Sequence, residues 1–150
     1  MAASEFQQIV KSFCKDACLQ DHESILAGKP FIIHQCPTWL WFIEIADLCR
    51  IVIDLGMPAD GISPRLGKMM LESNCSSKSK YLPFFGISEK NGHVLLMLHI
   101  SLSILREEIS LYFILDQQLL PVIAAWRKRL EHEGKFLDEM GKALVSFNFA

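Results

Sequence analysis

FFGISEKNGHVLLMLHIS, Phe84 to Ser101, is the stretch that decides the fold of this chain. Asn91-Gly92 tolerates the positive φ that tight hairpin turns require, so the spacing predicts a hairpin. Phe84 to Ser88 pairs with His93 to Ser101 across Glu89-Lys90-Asn91-Gly92. Upstream, Ser63 as N-cap and Pro64 at the first helical position open a short helix to Asn74, with Leu66, Met69 and Met70 on one face. Downstream, Leu105, Ile109, Tyr112, Leu119, Ile123, Trp126 and Leu130 recur at helical spacing and predict one long helix from about Leu105 to His132. Pro121 removes one backbone hydrogen bond inside it and should kink it.

The first half supplies a helix and three strands. Ser4 and Gln7 form a capping-box pattern ahead of Phe6, Ile9, Val10, Phe13, Cys14 and Ala17, which share one helical face from Ser4 to about Cys18. Gln20 to Glu23 reads as polar connection, and Gly28-Lys29-Pro30 punctuates the approach to a strand. Extended segments follow at Phe31 to Gln35, Thr38 to Ile45 and Leu48 to Leu55, separated by Cys36-Pro37 and Ala46-Asp47. In the third, Cys49, Ile51, Ile53 and Leu55 alternate with Arg50, Val52 and Asp54, the signature of one buried face. The second is apolar on both faces, with Trp39, Trp41, Ile43 and Ile45 on one and Leu40 and Phe42 on the other. Either both sides are covered within the domain or one side awaits a partner.

At 150 residues the chain has the length of one domain, and the elements above fill residues 1–133. Residues 134–150, with Phe136, Leu137, Met140, Leu144 and Phe147, read as a C-terminal amphipathic extension. Hydrophobic residues make up 51% and charged residues 21%, a balance that favours a dimer or an apolar binding surface. A net charge of -2 without a long basic run speaks against nucleic acid. The first residues lack the pattern of a secretion signal, and the densest apolar run, Pro37 to Ile45, is too short to cross a bilayer. The protein is therefore expected in the cytoplasm, away from membranes. Five scattered cysteines in apolar surroundings read as buried, reduced thiols.

No catalytic motif emerges. His34 and Cys36 are two apart, as metal ligands on a strand can be, but no second pair has ligand spacing and packing explains them better. Cys36 beside His34 or His99 has no orienting third group. Glu107-Glu108 and Glu131-His132-Glu133 read as solvated helix faces, and the glycines form no phosphate-binding loop. No cofactor or metal is called for. The aromatic strand with Trp39, Trp41 and Phe42 stands out, either as a core strand or as an apolar surface that receives a peptide.

The chain resembles the class I type III secretion chaperones, the Tir-chaperone or CesT-like family. The likeness lies in Met70-Leu71-Glu72-Ser73-Asn74 and in His93 to Leu98, followed by an apolar-polar step into a long helix ending Trp126-Arg127-Lys128-Arg129-Leu130. It covers Ser4 to about Glu133. The resemblance implies an α+β fold of order α-β-β-β-α-β-β-α, a twisted antiparallel sheet packed by helices, and a homodimer. It implies a bacterial cytoplasmic protein, not an enzyme, that binds a secreted effector near its N-terminus, keeps that segment extended and promotes export, with the secretion-apparatus ATPase as a further partner. Carried over by position, the dimer contact centres on Leu66, Met69, Met70 and Ser73. The effector surface falls on Phe6, Val10 and Phe13 of the first helix beside Phe31, Ile33, Trp39 and Trp41 of the sheet. Two alternatives stay open: a small ligand-binding or thiol- or metal-dependent enzyme using Cys36, His34 and His99, and a dimeric adaptor or regulator for folded partners.

Overall fold

The computed structural model describes residues 2–76 and 81–132. Most of the Ser76 to Lys80 loop and the extension at 134–150 lie outside the described residues. The observed order is α1 (Ala2–Asp16), α2 (His22–Leu26), β1 (Phe31–Ile33), β2 (Cys36–Ile43), β3 (Leu48–Gly56), α3 (Pro64–Ser76), β4 (Phe84–Ile87) and β5 (Val94–Ser101). Then come α4 (Leu102–Glu107), α5 (Leu111–Phe113), a π turn over Ile114–Gln118, and α6 over residues 120–132. The five strands form one antiparallel sheet in the order β1-β2-β3-β5-β4. The α+β class, the antiparallel sheet and the succession of three strands, a helix and two strands along the chain follow the sequence reading.

Three local expectations are corrected. Gln20 to Glu23 is not plain connection: the Asp21 side chain accepts the Ser24 N–H at 3.0 Å and caps α2. The separator between the first two strands is His34-Gln35 rather than Cys36-Pro37. Ile33 pairs with Cys36 across this two-residue turn, whose residues have φ of 49° and 66°. Such turns need left-handed backbone at both positions, normally supplied by glycine or asparagine. Here the C-terminal part of the chain holds the tip instead. Arg127 Nη1 donates to the His34 carbonyl at 3.0 Å, and His34 Nε2–H donates to the Leu115 carbonyl at 3.2 Å.

The single long helix is also replaced, by three helices and a π turn. Ser101 and Ser110 each have extended backbone and accept an N–H three residues on, from Ile104 at 3.4 Å and Phe113 at 3.1 Å, so each begins a new helix. Pro121 then lies in the first turn of α6, where its missing N–H costs nothing.

One contiguous core occupies one face of the sheet. Cys49, Ile51 and Ile53 of β3 and Val94, Leu96 and Leu98 of β5 meet Phe6, Val10 and Phe13 of α1 and Ile123, Trp126 and Leu130 of α6. Phe6 stacks on Phe42 with centroids 5.4 Å apart, and Phe85 meets Trp126 at 4.2 Å. The far edge of the sheet is fastened to α3. Asn74 Oδ1 accepts the Phe85 N–H at 2.6 Å while Asn74 Nδ2 donates to the Phe85 carbonyl at 3.2 Å, so one side-chain amide does for β4 what a neighbouring strand would. Replacing Asn74 by alanine strands both half-buried groups of Phe85 and should cost about 1–3 kcal/mol, read as a lower urea midpoint at unchanged slope.

Candidate functional site

The site is the other face of the sheet. Along β2, Cys36, Thr38 and Leu40 are buried, so Pro37, Trp39, Trp41 and Ile43 project to the side away from the core. Register carries that face across the strands: Trp39 opposes Val52 and Trp41 opposes Arg50, then Val52 opposes Met97 and Arg50 opposes His99, and Met97 opposes Phe84. Two cross-strand rows result, Trp39-Val52-Met97-Phe84 and Trp41-Arg50-His99. None of these seven residues belongs to the core cluster. Val52 is nevertheless only 4% exposed, because its cross-strand neighbours Trp39 and Met97 flank it. The expectation of one buried face on β3 is therefore corrected: its second half is buried on both. Towards the margin the face opens, with Trp41 40% and Ile32 62% exposed. The Trp41 indole edge lies by Gly28, where a Cβ would come 3.7 Å from Nε1.

The polar groups on this face are few and uneven. Asp54 accepts from His93 Nδ1 at 2.9 and 3.0 Å and from the Gly56 N–H at 2.8 Å, which fixes the bulge where β3 slips against β5. Arg50 Nε–H donates to His99 Nε2 at 2.9 Å, so that nitrogen is the acceptor and the imidazole is neutral, with its proton on Nδ1. The Phe84 ring meets His99 edge-on at 5.2 Å. Partial burial, and after it the Arg50 charge, hold the imidazole below its ordinary titration range. Arg50 has no carboxylate partner among the described residues.

The seven residues expected on an effector surface are not brought together. Phe6, Val10, Phe13 and Phe31 are buried in the core, with Phe13 and Phe31 in ring contact at 5.4 Å, and Ile33 packs against the same cluster. Trp39 and Trp41 stand on the opposite face. On α3, Leu66 and Met70 point into the core and Met69 packs against it, while Ser73 is half-buried and Leu71, 68% exposed, faces out. Sequence reasoning missed Arg50, Met97 and Phe84 on this face and gave His99 only to the thiol alternative. The signal was available in β5, where Leu95, Met97 and His99 alternate with buried Val94, Leu96, Leu98 and Ile100.

The residues of an imagined thiol site are directed elsewhere. His34 is engaged by Leu115 and His99 by Arg50. Burial pushes the Cys36 thiol up despite the opposing influence of Arg127, and pushes that of Cys49 up to about 12, the reverse of an activated nucleophile. Cys14 is buried too, whereas Cys18 and Cys75 are exposed, against the expectation of five buried thiols. Among the described residues no group of three or more His, Cys, Asp and Glu side chains is placed to hold a metal ion, and no helix is long and apolar enough to cross a membrane.

No family model matches the chain, and no curated protein matches it in sequence. Solved structures do match. A chain of the ExsC-ExsE complex, known from its crystal structure, superposes with a TM-score of 0.66 at 16% identity, over 86% of this chain and 96% of that one. A chain of the HopA1-SchA chaperone-effector complex superposes with a TM-score of 0.56 at 16% identity, over 85% and 97%. This chain has their fold. At such identity the likeness is one of architecture, and it spans nearly the whole of both matched chains.

The Arg50-His99 contact has a measurable consequence. A histidine that resists protonation only when folded lends stability near neutral pH, and this stability is lost as pH falls from the ordinary value of 6.5 towards the lower folded one. In an NMR titration the His99 ring should show a midpoint below 6.5. Arg50→Gln should move it part of the way back, since burial, the larger cause, remains.

Proposed function

We propose that this protein is a type III secretion chaperone that binds the N-terminal region of one or more effector proteins, keeps that segment extended and soluble, and promotes its export. The observation that carries the proposal is a sheet face bearing two tryptophans that is left outside the core, in a fold shared with a chain of a chaperone-effector complex. An extended segment presents side chains to one side at every second residue, the spacing at which Trp39 and Trp41 are set. The proposed effector contacts are Trp39 and Trp41, with Phe6, Val10, Phe13, Phe31 and Ile33 supporting the sheet from behind.

The edge of the sheet suits the same task. On β1, Ile32 opposes Pro37 between the pairs Ile33-Cys36 and Phe31-Thr38, at the position where antiparallel partners exchange no hydrogen bond, so the Ile32 backbone groups turn to the open edge and are available to an added strand. The opposite edge is occupied at Phe85 by Asn74.

The chaperone is a homodimer in this proposal. Its seam is assigned to α3, where half-buried Met69 and Ser73 lie beside Leu66 and Met70, which anchor the helix in the core, and where Leu71, 68% exposed, is the large apolar group on the outward side. It works in the bacterial cytoplasm without a cofactor and delivers its client to the secretion-apparatus ATPase. No bond is made or broken.

The test is co-expression with secreted proteins from the same genome, using one variant from each face. Trp41→Glu should reduce capture of an effector by roughly tenfold or more, as loss of a buried aromatic contact does, while its melting temperature and mass by light scattering stay near wild type. Phe31→Glu should unfold the protein. Undiminished capture by Trp41→Glu, or its unfolding, would refute the assignment of the face.

A further inference from the structure

Arg50 differs from Arg106, Arg127 and Arg129. Arg106 grips Glu5 at 2.7 Å and Glu107 at 2.9 Å, Arg127 holds the His34 carbonyl, and Arg129 lies over the Trp126 ring at 4.8 Å. Arg50 is half-buried in the middle strand of an apolar face, and the one hydrogen bond it makes among the described residues runs from Nε to His99. Its two terminal nitrogens have no partner among the described residues. The His99 Nδ1–H beside it has none either. Asp54, the carboxylate two rows away on the same face, is already taken by His93 and Gly56. The face thus offers a fixed cation and adjacent N–H donors, and the described residues supply no acceptor for them. A guanidinium is a rigid donor fork that matches a carboxylate, and the Nε contact keeps this one in place.

We propose that the segment received by this face carries an aspartate or glutamate that seats on Arg50, two residues from a large apolar side chain that packs on the row of Trp39, Val52 and Met97. The proposal rests on the reading of this face as the effector-binding surface and names what that surface selects. The two-residue spacing comes from the strand. The Arg50 and Val52 rows are two residues apart, which is also the repeat of an extended segment running along them. A lysine at the same place would put two cations together, so Arg50 also rejects segments that are apolar enough but wrongly charged.

The probe is a set of three fluorescently labelled ten-residue peptides that alternate leucine with threonine and carry glutamate, glutamine or lysine at one central leucine position. Binding is followed by anisotropy at low salt. Wild type should bind the glutamate peptide about fivefold more tightly than the glutamine peptide, the scale of a partly exposed ion pair, and the lysine peptide most weakly. The preference should vanish in Arg50→Gln and invert in Arg50→Glu, whereas the uncharged Trp41→Ala, which leaves Arg50 in place, should weaken all three alike. Equal binding of the glutamate and glutamine peptides by wild type, a comparison that needs no variant to fold, overturns the acidic selection and leaves the face as a binding surface. Failure of wild type to bind any of the three overturns the surface as well. A change of mass in Arg50→Gln by light scattering, without a change in peptide preference, assigns Arg50 to contact with a second copy and overturns the proposal.

Discussion

β3 is hydrogen-bonded along both sides, to β2 and to β5, and carries large apolar side chains on both faces. A strand of that kind requires cover above and below, because each apolar group left in water forgoes about 25 cal/mol per Å² of possible burial. The buried helix residues all join a single cluster on one side. On the other side, among the described residues, Val52 is sheltered by the strands next to it. The arrangement of the described residues follows from this inequality, with a closed face packed by residues of all the helices and an open one built by strands alone.

The contacts that fasten the closed side are spread widely along the chain. Asn74 secures the β4 edge, Arg127 the tip between β1 and β2, and the Glu5-Arg106 pair joins α1 to α4. They hold the sheet from its two ends and from behind, so the open face is fixed in place without cover from any described helix. Rigidity suits a surface that binds an unfolded segment, since the ordering cost then falls on the segment alone.

Local chemistry made the hairpin legible. Asn91-Gly92 has its left-handed glycine, with φ of 72°, and Ser88 N–H donates to the His93 carbonyl at 2.9 Å. The helix breaks were less visible, because Ser101 and Ser110 sit in a run whose apolar spacing suits one continuous helix and a cap is decided by ψ at a single residue. The open face was legible only by halves. Alternation sorted Trp39 and Trp41 from Leu40 and Phe42, but a strand does not record which set the helices will cover. That choice is settled by register across four strands, and Arg50 and His99, which come from positions 49 apart in the chain, meet only through it. Phe6, Val10, Phe13 and Phe31 look the same in sequence whether they build a core or a groove.

The turn at His34-Gln35 bears on the order in which the chain is completed. Two non-glycine residues in left-handed conformation are costly by themselves, and the groups that hold them belong to Leu115 and Arg127, 81 and 93 residues further on. During synthesis from the N-terminus, the β1-β2 hairpin therefore emerges long before the contacts that fix its tip. Its final geometry waits on the last helix. The Ile32 edge thus borders a turn whose fixing contacts are synthesised well after the five strands of the sheet.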